Sequence, residues 1–255
     1  MQYDIRRADE HHHEAGGWFD ARWHFSFGGW HDPDRMGVGP LRVFNDDVVA
    51  PGEIWPMHPH ADIESLSWIV SGRFRHQDSL GNGGEFEPGA AQVMRFSSRG
   101  AEHSEQNASD EEPVRFIQFW VLPSQEGLEN SVQQAQFTPA DRTDQWLRIM
   151  SSDPGRDRGA LELAQDATVD VSRLTADNEL SHTFAARRGG YLYVIDGAVE
   201  LGDDDKLEAG DALAVRDVTD AERTIELRGL EAESELILVD VPLEWEPVGL
   251  WRGRV

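Results

Sequence analysis

At 255 residues the chain suits one large domain or two of about 120 residues, and an apolar share of 39% is enough for a packed core. A net charge of -25 excludes nucleic-acid binding through a broad basic surface, and the absence of cysteine excludes disulfides, thiolate nucleophiles and zinc–thiolate clusters. Lys206 is the only lysine among 23 Lys and Arg residues, a bias that fits a salt-rich cytoplasm or a GC-rich genome equally well. The start Met1-Gln2-Tyr3-Asp4-Ile5-Arg6 has no apolar core of a secretion signal, and no apolar run approaches the ~18 residues of a membrane span. The expectation is a cytoplasmic protein without membrane contact.

Aromatic and charged residues alternate through the first thirty positions (Trp18, Phe19, Trp23, Phe25, Phe27, Trp30), and His24-Phe25-Ser26-Phe27 has the pattern of a strand. The triplet His11-His12-His13 invites a metal reading, but adjacent side chains point in different directions, so a solvated loop is expected. After the turn Asp32-Pro33-Asp34, Leu41 to Asp46 forms a short strand. Pro51-Gly52 then leads into Met57-His58-Pro59-His60-Ala61-Asp62-Ile63-Glu64. Two histidines two residues apart share one face of a strand, because strand side chains repeat with period two. Read as one continuous strand through Leu66, Trp68 and Val70, the stretch places Glu64 on the histidine face but ~13 Å along it. Arg73 to Asp78, followed by the Gly- and Asn-rich Ser79–Gly84, predicts a hairpin. Past Glu87-Pro88-Gly89 come Val93, Met94 and Phe96. His103-Ser104-Glu105 then repeats the two-residue spacing ahead of the apolar run Val114 to Val121.

From Pro123 to about Asp144 the composition turns polar, as expected of a crossing between domains. The second half repeats the first: Gly190 to Gly197 parallels Glu64 to Gly72, and Leu207 to Ala212 parallels Phe86 to Ala91. The acidic Gly202-Asp203-Asp204-Asp205 lacks the ligand spacing of an EF-hand and is expected to be a charged hairpin tip. These patterns predict an all-β protein, a duplicated β-barrel with few short helices. The expected division is residues 1–125, a linker over 126–143, and residues 144–255. Against His58, His60, His103 and Glu105 in the first half, the second offers only His182, so the second barrel is expected to hold no metal.

Gly52-(x5)-His58-Pro59-His60-(x3)-Glu64 and Gly100-(x2)-His103-(x3)-Asn107 resemble the two metal motifs of the cupin barrels. Two departures stand out: Gly72 falls one position late, and Ser98 stands where many cupins have proline. The segment His76 to Asn82, the opening Arg7-Ala8-Asp9-Glu10, Trp18-Phe19-Asp20, Gly37 to Val43, and Gln118 to Pro123 followed by Gly127-Leu128-Glu129 narrow the resemblance to the pirins, over roughly residues 5–137. Among pirins, the chain is most similar to bacterial members with quercetin 2,3-dioxygenase activity.

The resemblance implies a bicupin of two jelly-roll domains and a metal site made by His58, His60, His103 and Glu105, with Glu64 not a ligand. Imidazoles plus one carboxylate suit one divalent transition metal, Fe(II) by resemblance, with Mn, Ni, Cu, Co and Zn as alternatives. The implied activity is cleavage of a flavonol such as quercetin with O2, by a monomer that takes a small aromatic substrate. Glu105 would serve as ligand and as the base for the substrate 3-hydroxyl, whose pKa the metal lowers. The alternative is a non-catalytic, redox-sensitive metal-binding regulator with a protein partner. Phe25, Trp68, Met94 and Phe116 are candidates for a pocket wall, although alternation equally makes each a core residue. His24, His31 and His76 are expected near the site but not as ligands.

Overall fold

Strands with a period-two burial pattern make up most of the fold, and among the described residues helix is confined to the turn Pro139–Arg142 and the 3-10 turns Ala8–Glu10 and Gly249–Trp251. The computed structural model describes residues 4–157, 159–202 and 205–254; Met1–Tyr3 and the centre of the expected acidic tip, Asp203-Asp204, lie outside the described residues. The first half has a seven-stranded sheet in the order Ser131–Gln136, Ala90–Phe96, Ile63–Ser71, Val114–Val121, Leu41–Val49, Phe19–Trp23, His12–Ala15. Its companion is a four-stranded sheet ordered Ile54–His60, Ala101–Asn107, Phe74–Asp78, Gly83–Phe86. The second half repeats the plan. Its seven strands run Asp4–Arg6, Ala212–Val215, Arg188–Asp196, Ser234–Pro242, Thr168–Leu174, Leu147–Ser151, Leu161–Glu162, and its four run Glu179–Phe184, Arg223–Gly229, Ala198–Leu201, Asp205–Glu208. This is the two-domain, jelly-roll architecture of a bicupin.

The repeated sequence stretches hold equivalent places: Ile63–Ser71 and Arg188–Asp196 are each third in their large sheet. Both end at a glycine of positive φ, Gly72 at 79° and Gly197 at 81°. A Cβ at Gly72 would lie 2.4 Å from the carbonyl oxygen of Pro113, and one at Gly197 would lie 2.5 Å from that of Glu233, so no other residue fits. The predicted hairpin is present, Phe74–Asp78 pairing with Gly83–Phe86, and Asp78 accepts hydrogen bonds from the amides of Leu80 and Asn82 at 2.8 and 2.9 Å.

The two large sheets pack against each other, and the largest core of the molecule lies between them. Phe44, Leu66, Trp68, Val93, Ile117, Phe119 and Val121 meet Val169, Val171, Tyr191, Tyr193, Ile237, Val239 and Val241. Burying each such side chain contributes about 1.5–3 kcal/mol. The alternate residues of the same first-half strands point the other way, toward the four-stranded sheet, where Val49, Ile69, Phe116 and Phe74 form one small core and Ile63, Met94 and Phe96 another.

Several expectations are corrected. His60 ends one strand and Ile63 begins another in a different sheet, because the chain turns at Asp62, whose φ is 55°. Asp tolerates this left-handed conformation, and the C-terminal segment braces it: the Leu250 amide and the Trp251 indole donate to Asp62 at 3.0 Å each. Glu64 therefore does not share the histidine face. It is fully buried between the halves, accepting from Arg95 Nε at 2.9 Å and from the amide of Ala164 at 2.8 Å. Phe25 and Trp68 belong to this same interface and not to a pocket wall. The strand expected at His24–Phe27 falls instead at Phe19–Trp23, and His24 turns into the interface, its Nδ1 lying 2.9 Å from the Tyr191 hydroxyl. The histidine triplet is not a solvated loop. His11 is buried and stacked on His24, His12 stacks on Trp30, and His13 pairs with Asp20, because His12–Ala15 is the edge strand of the large sheet. Within the stretch 126–143, Ser131–Gln136 pairs along Ala90–Phe96 before the helical turn Pro139–Arg142.

Removing Glu64 leaves a partly buried guanidinium and the Ala164 amide without their acceptor, a loss of about 3 kcal/mol. Glu64→Ala should lower the midpoint of equilibrium urea unfolding accordingly, and Glu64→Gln, which keeps one acceptor oxygen, should lower it less.

Candidate metal centre

The four-stranded sheet brings the predicted residues together. Register places His103 directly opposite His58 and Ala101 opposite His60, so the two histidine-bearing strands face each other. A bulge between His103 and Glu105 shifts the pairing, setting Glu105 beside Trp55 on one side and His76 on the other. His58, His60 and His103 each present a ring nitrogen within 4.8 Å of the others. Their ring centroids lie 4.6 to 4.9 Å apart. Glu105 Oε1 sits 3.2 Å from His103 Nε2.

The polar surroundings orient these groups. His58 Nδ1 lies 2.8 Å from the carbonyl of Pro56, an acceptor, so Nδ1 carries the proton and Nε2 keeps its lone pair. His60 Nε2 and both ring nitrogens of His103 are buried without a hydrogen-bond partner. Orphaned buried nitrogens cost about 1–3 kcal/mol each, and a shared cation would satisfy them. Glu105 is held from the side by Gln118, whose amide donates to Oε1 at 3.0 Å. Burial lowers the His60 pKa to about 3, with His103 and His58 adding to the effect, and it holds His103 well below its usual value. These rings enter neutral solution uncharged, the form that can donate a lone pair.

His76 is fully buried beside the cluster, its ring centroid 5.8 Å from that of His103, with neither nitrogen partnered. His24 lies in the interface between halves, and His31 on a surface groove, both apart from the cluster. A pocket with room for about 30 Å³ opens on the site, walled by Phe27, Trp55, Phe116 and Trp120 and by the polar Asn45, Asp47 and Gln118. Of the aromatic and aliphatic candidates, Phe116 lines it; Met94 packs in the adjoining core with Phe96, which touches both His60 and His103. Asn45, Asp47 and Gln118 were not anticipated. Gln118 had a signal: it interrupts an apolar run at an inward position.

In the second half, Glu179–Phe184 holds the place of the strand bearing His58 and His60. Its His182 is taken up by Asp240, Nε2 to Oδ2 2.8 Å. Among the described residues, the convergent group of three is that of the first half.

Comparison with known proteins covers both halves of the chain. Residues 5–121 match the family model Pirin, and residues 149–241 match that of the quercetinase C-terminal cupin domain. The chain is 34% identical over 239 residues to the quercetin 2,3-dioxygenase of Escherichia coli K12, covering 93% of this chain and 98% of that protein. It is 36% identical over 224 residues to a pirin-like protein of Caulobacter vibrioides, covering 88% and 93%. The crystal structure of YhhW from Escherichia coli superposes with a TM-score of 0.86 at 32% identity, over 97% of this chain and 99% of that one. The complex of that bacterial pirin with nickel(II) gives 0.85 at 32% identity, over 97% and 100%.

The depressed histidine pKa values set a pH dependence for the metal-free protein. The folded state stays neutral where the unfolded chain, with His near 6.5, takes up protons, so the unfolded state gains as pH falls. The contribution is complete above about 6.5 and is lost as pH drops toward about 3. Unfolding midpoints of the metal-free protein should fall steadily from pH 7.5 to pH 4.5, with a shallower slope in His60→Gln.

Proposed function

The chain belongs to the pirin family, and from that premise we propose that it is a metal-dependent dioxygenase that opens flavonols such as quercetin with O2. The observation that carries this reading is the convergence of His58, His60, His103 and Glu105 beside an aromatic-walled pocket. His58, His60, His103 and Glu105 would hold the ion, and four donors would leave positions open to a substrate. Fe(II) is the first candidate, with Mn, Ni, Cu, Co and Zn able to take the same donors. When bound, a divalent ion supplies Lewis acidity toward the substrate 3-hydroxyl and a place for O2 beside it.

The chain's own residues do the rest. Glu105 accepts the 3-hydroxyl proton at Oε1 or Oε2, while Gln118, itself 3.1 Å from the Ser65 hydroxyl, holds that carboxylate in line. Phe27, Trp55, Phe116 and Trp120 exclude water and pack on a planar ring. A whole flavonol needs on the order of 300 Å³. The pocket therefore admits the oxygen-bearing edge, and the remaining rings lie outward along Phe27 and Trp120, which also wall a neighbouring groove of about 390 Å³. The small free space is the one observation favouring the second reading, a metal-binding regulator whose partner is a protein.

Protein purified without oxygen and loaded with each divalent metal in turn should bleach the quercetin absorbance band and release carbon monoxide. Absence of turnover with every metal would favour the regulator. Glu105→Gln should lower kcat by about 10²–10⁴-fold, as loss of a general base does, with a much smaller drop in bound metal. Equal losses would make Glu105 a ligand alone.

A further inference from the structure

The inner face of the first large sheet carries a row of polar side chains where a core is normally apolar. Cross-strand register aligns Asn45 with Gln118, Gln118 with Ser67, and Ser67 with Gln92. Asp47 follows Asn45 on the same face, opposite Phe116. Asn45 is 3% exposed and Asp47 5% exposed, and both line the pocket with His58, His60 and Glu105. Among the described residues neither side chain has a hydrogen-bond partner, and the Oδ1 atoms of both are buried and orphaned. Gln118, by contrast, is spent on Glu105 and Ser65.

Two orphaned polar groups two residues apart on one strand, in a sheet buried on both faces, are a standing cost to the fold. Leucine at either position would remove it. Their location in the pocket wall gives the cost a use. We propose that Asn45 and Asp47 are the substrate-recognition pair of this site, binding the oxygen atoms of a planar ligand that carries a hydroxyl next to a ring carbonyl. This rests on the dioxygenase reading above and specifies which edge of the substrate enters. The Asn45 amide is the donor for the ring carbonyl, and the Asp47 carboxyl, buried beside it in the pocket wall, accepts from the hydroxyl. The pocket's room for about 30 Å³ matches such an edge and little more. Neither residue is a metal ligand in this account; they position the substrate edge that Glu105 deprotonates.

The test is anaerobic titration of the metal-loaded protein, without turnover, reading the shift of the flavonol absorbance band. Wild type should bind a flavonol more tightly than the matching flavan-3-ol, which lacks the carbonyl. Asp47→Leu and Asn45→Leu should bind the flavonol about 10-fold more weakly or worse, and Asn45→Leu, which loses the donor to the carbonyl, should lose the preference over the flavan-3-ol. Asp47→Asn, whose amide oxygen still accepts, should stay within about 3-fold of wild type. All three variants should keep wild-type metal content. Their melting temperatures should equal or exceed that of wild type, because an orphan is removed or a buried acid neutralised. Unchanged flavonol affinity in Asp47→Leu and Asn45→Leu would overturn the assignment, as would a lowered melting temperature in all three, which marks a structural role. Failure of metal-loaded wild type to bind any flavonol would instead sink the dioxygenase reading and this assignment with it.

Discussion

The first large sheet is buried on both faces, and everything else follows from how its strands divide their residues between those faces. Outward positions, Phe44, Leu66, Trp68, Ile117 and Phe119, fasten the two halves together. Inward positions, Asn45, Asp47, Ser65, Ser67, Gln92, Gln118 and Trp120, face the four-stranded sheet, and Asn45, Asp47, Gln118 and Trp120 among them line the pocket beside the histidines. A one-residue slip in register would exchange the two sets, burying the polar row between the halves and the aromatic set against the histidines. The same alternation separates the two glutamates. Glu64 faces outward and ties Arg95 to the second half, while Glu105 comes from the opposing sheet and faces in.

The duplicated second half shows what the inner face looks like without a site. Its equivalent row runs Asp170, Leu238, Leu192, Leu213, and the space between its sheets is filled by Leu174, Val194, Val199, Leu207, Ile225, Leu227 and Leu236. There the one histidine on the equivalent strand bonds Asp240, and among the described residues that row holds no orphaned side-chain oxygen of the kind seen at Asn45 and Asp47. The first half gives up that apolar filling for imidazoles and unpartnered amide and carboxyl groups. The second half carries the apolar burial, and the interface between them, reinforced by Arg115 and Tyr193 on Asp46 at 2.7 and 2.6 Å, shares its stability with the half that holds the site.

Much of this was legible in the sequence because it depends on period and spacing. Two His-x-His or His-x-Glu pairs on β patterns, a Gly- and Asn-rich hairpin, and the repeat of Glu64–Gly72 at Gly190–Gly197 all survive folding as local features. What was not legible depends on corners and partners. The turn at Asp62, held by hydrogen bonds from Leu250 and Trp251 at the far end of the chain, breaks what looked like one strand and sends Glu64 away from the histidines. His11 and His24 are buried because Gly210 and Tyr191 of the second half reach them, contacts that no local pattern announces. Asn45 looked like a polar residue in a short strand that ended at Asp46, before Asp47; only the register against Gln118 and Phe116 shows that both face the pocket.

The central claim is that this chain holds one metal ion through His58, His60, His103 and Glu105. X-ray absorption spectroscopy on the metal-loaded protein, beside His103→Ala, tests it most directly. The account predicts one ion per chain with three imidazole nitrogens and an oxygen donor in the wild type, and loss of an imidazole or of the ion itself in the variant. A spectrum with fewer than three imidazoles, or one that His103→Ala leaves unchanged, would contradict it.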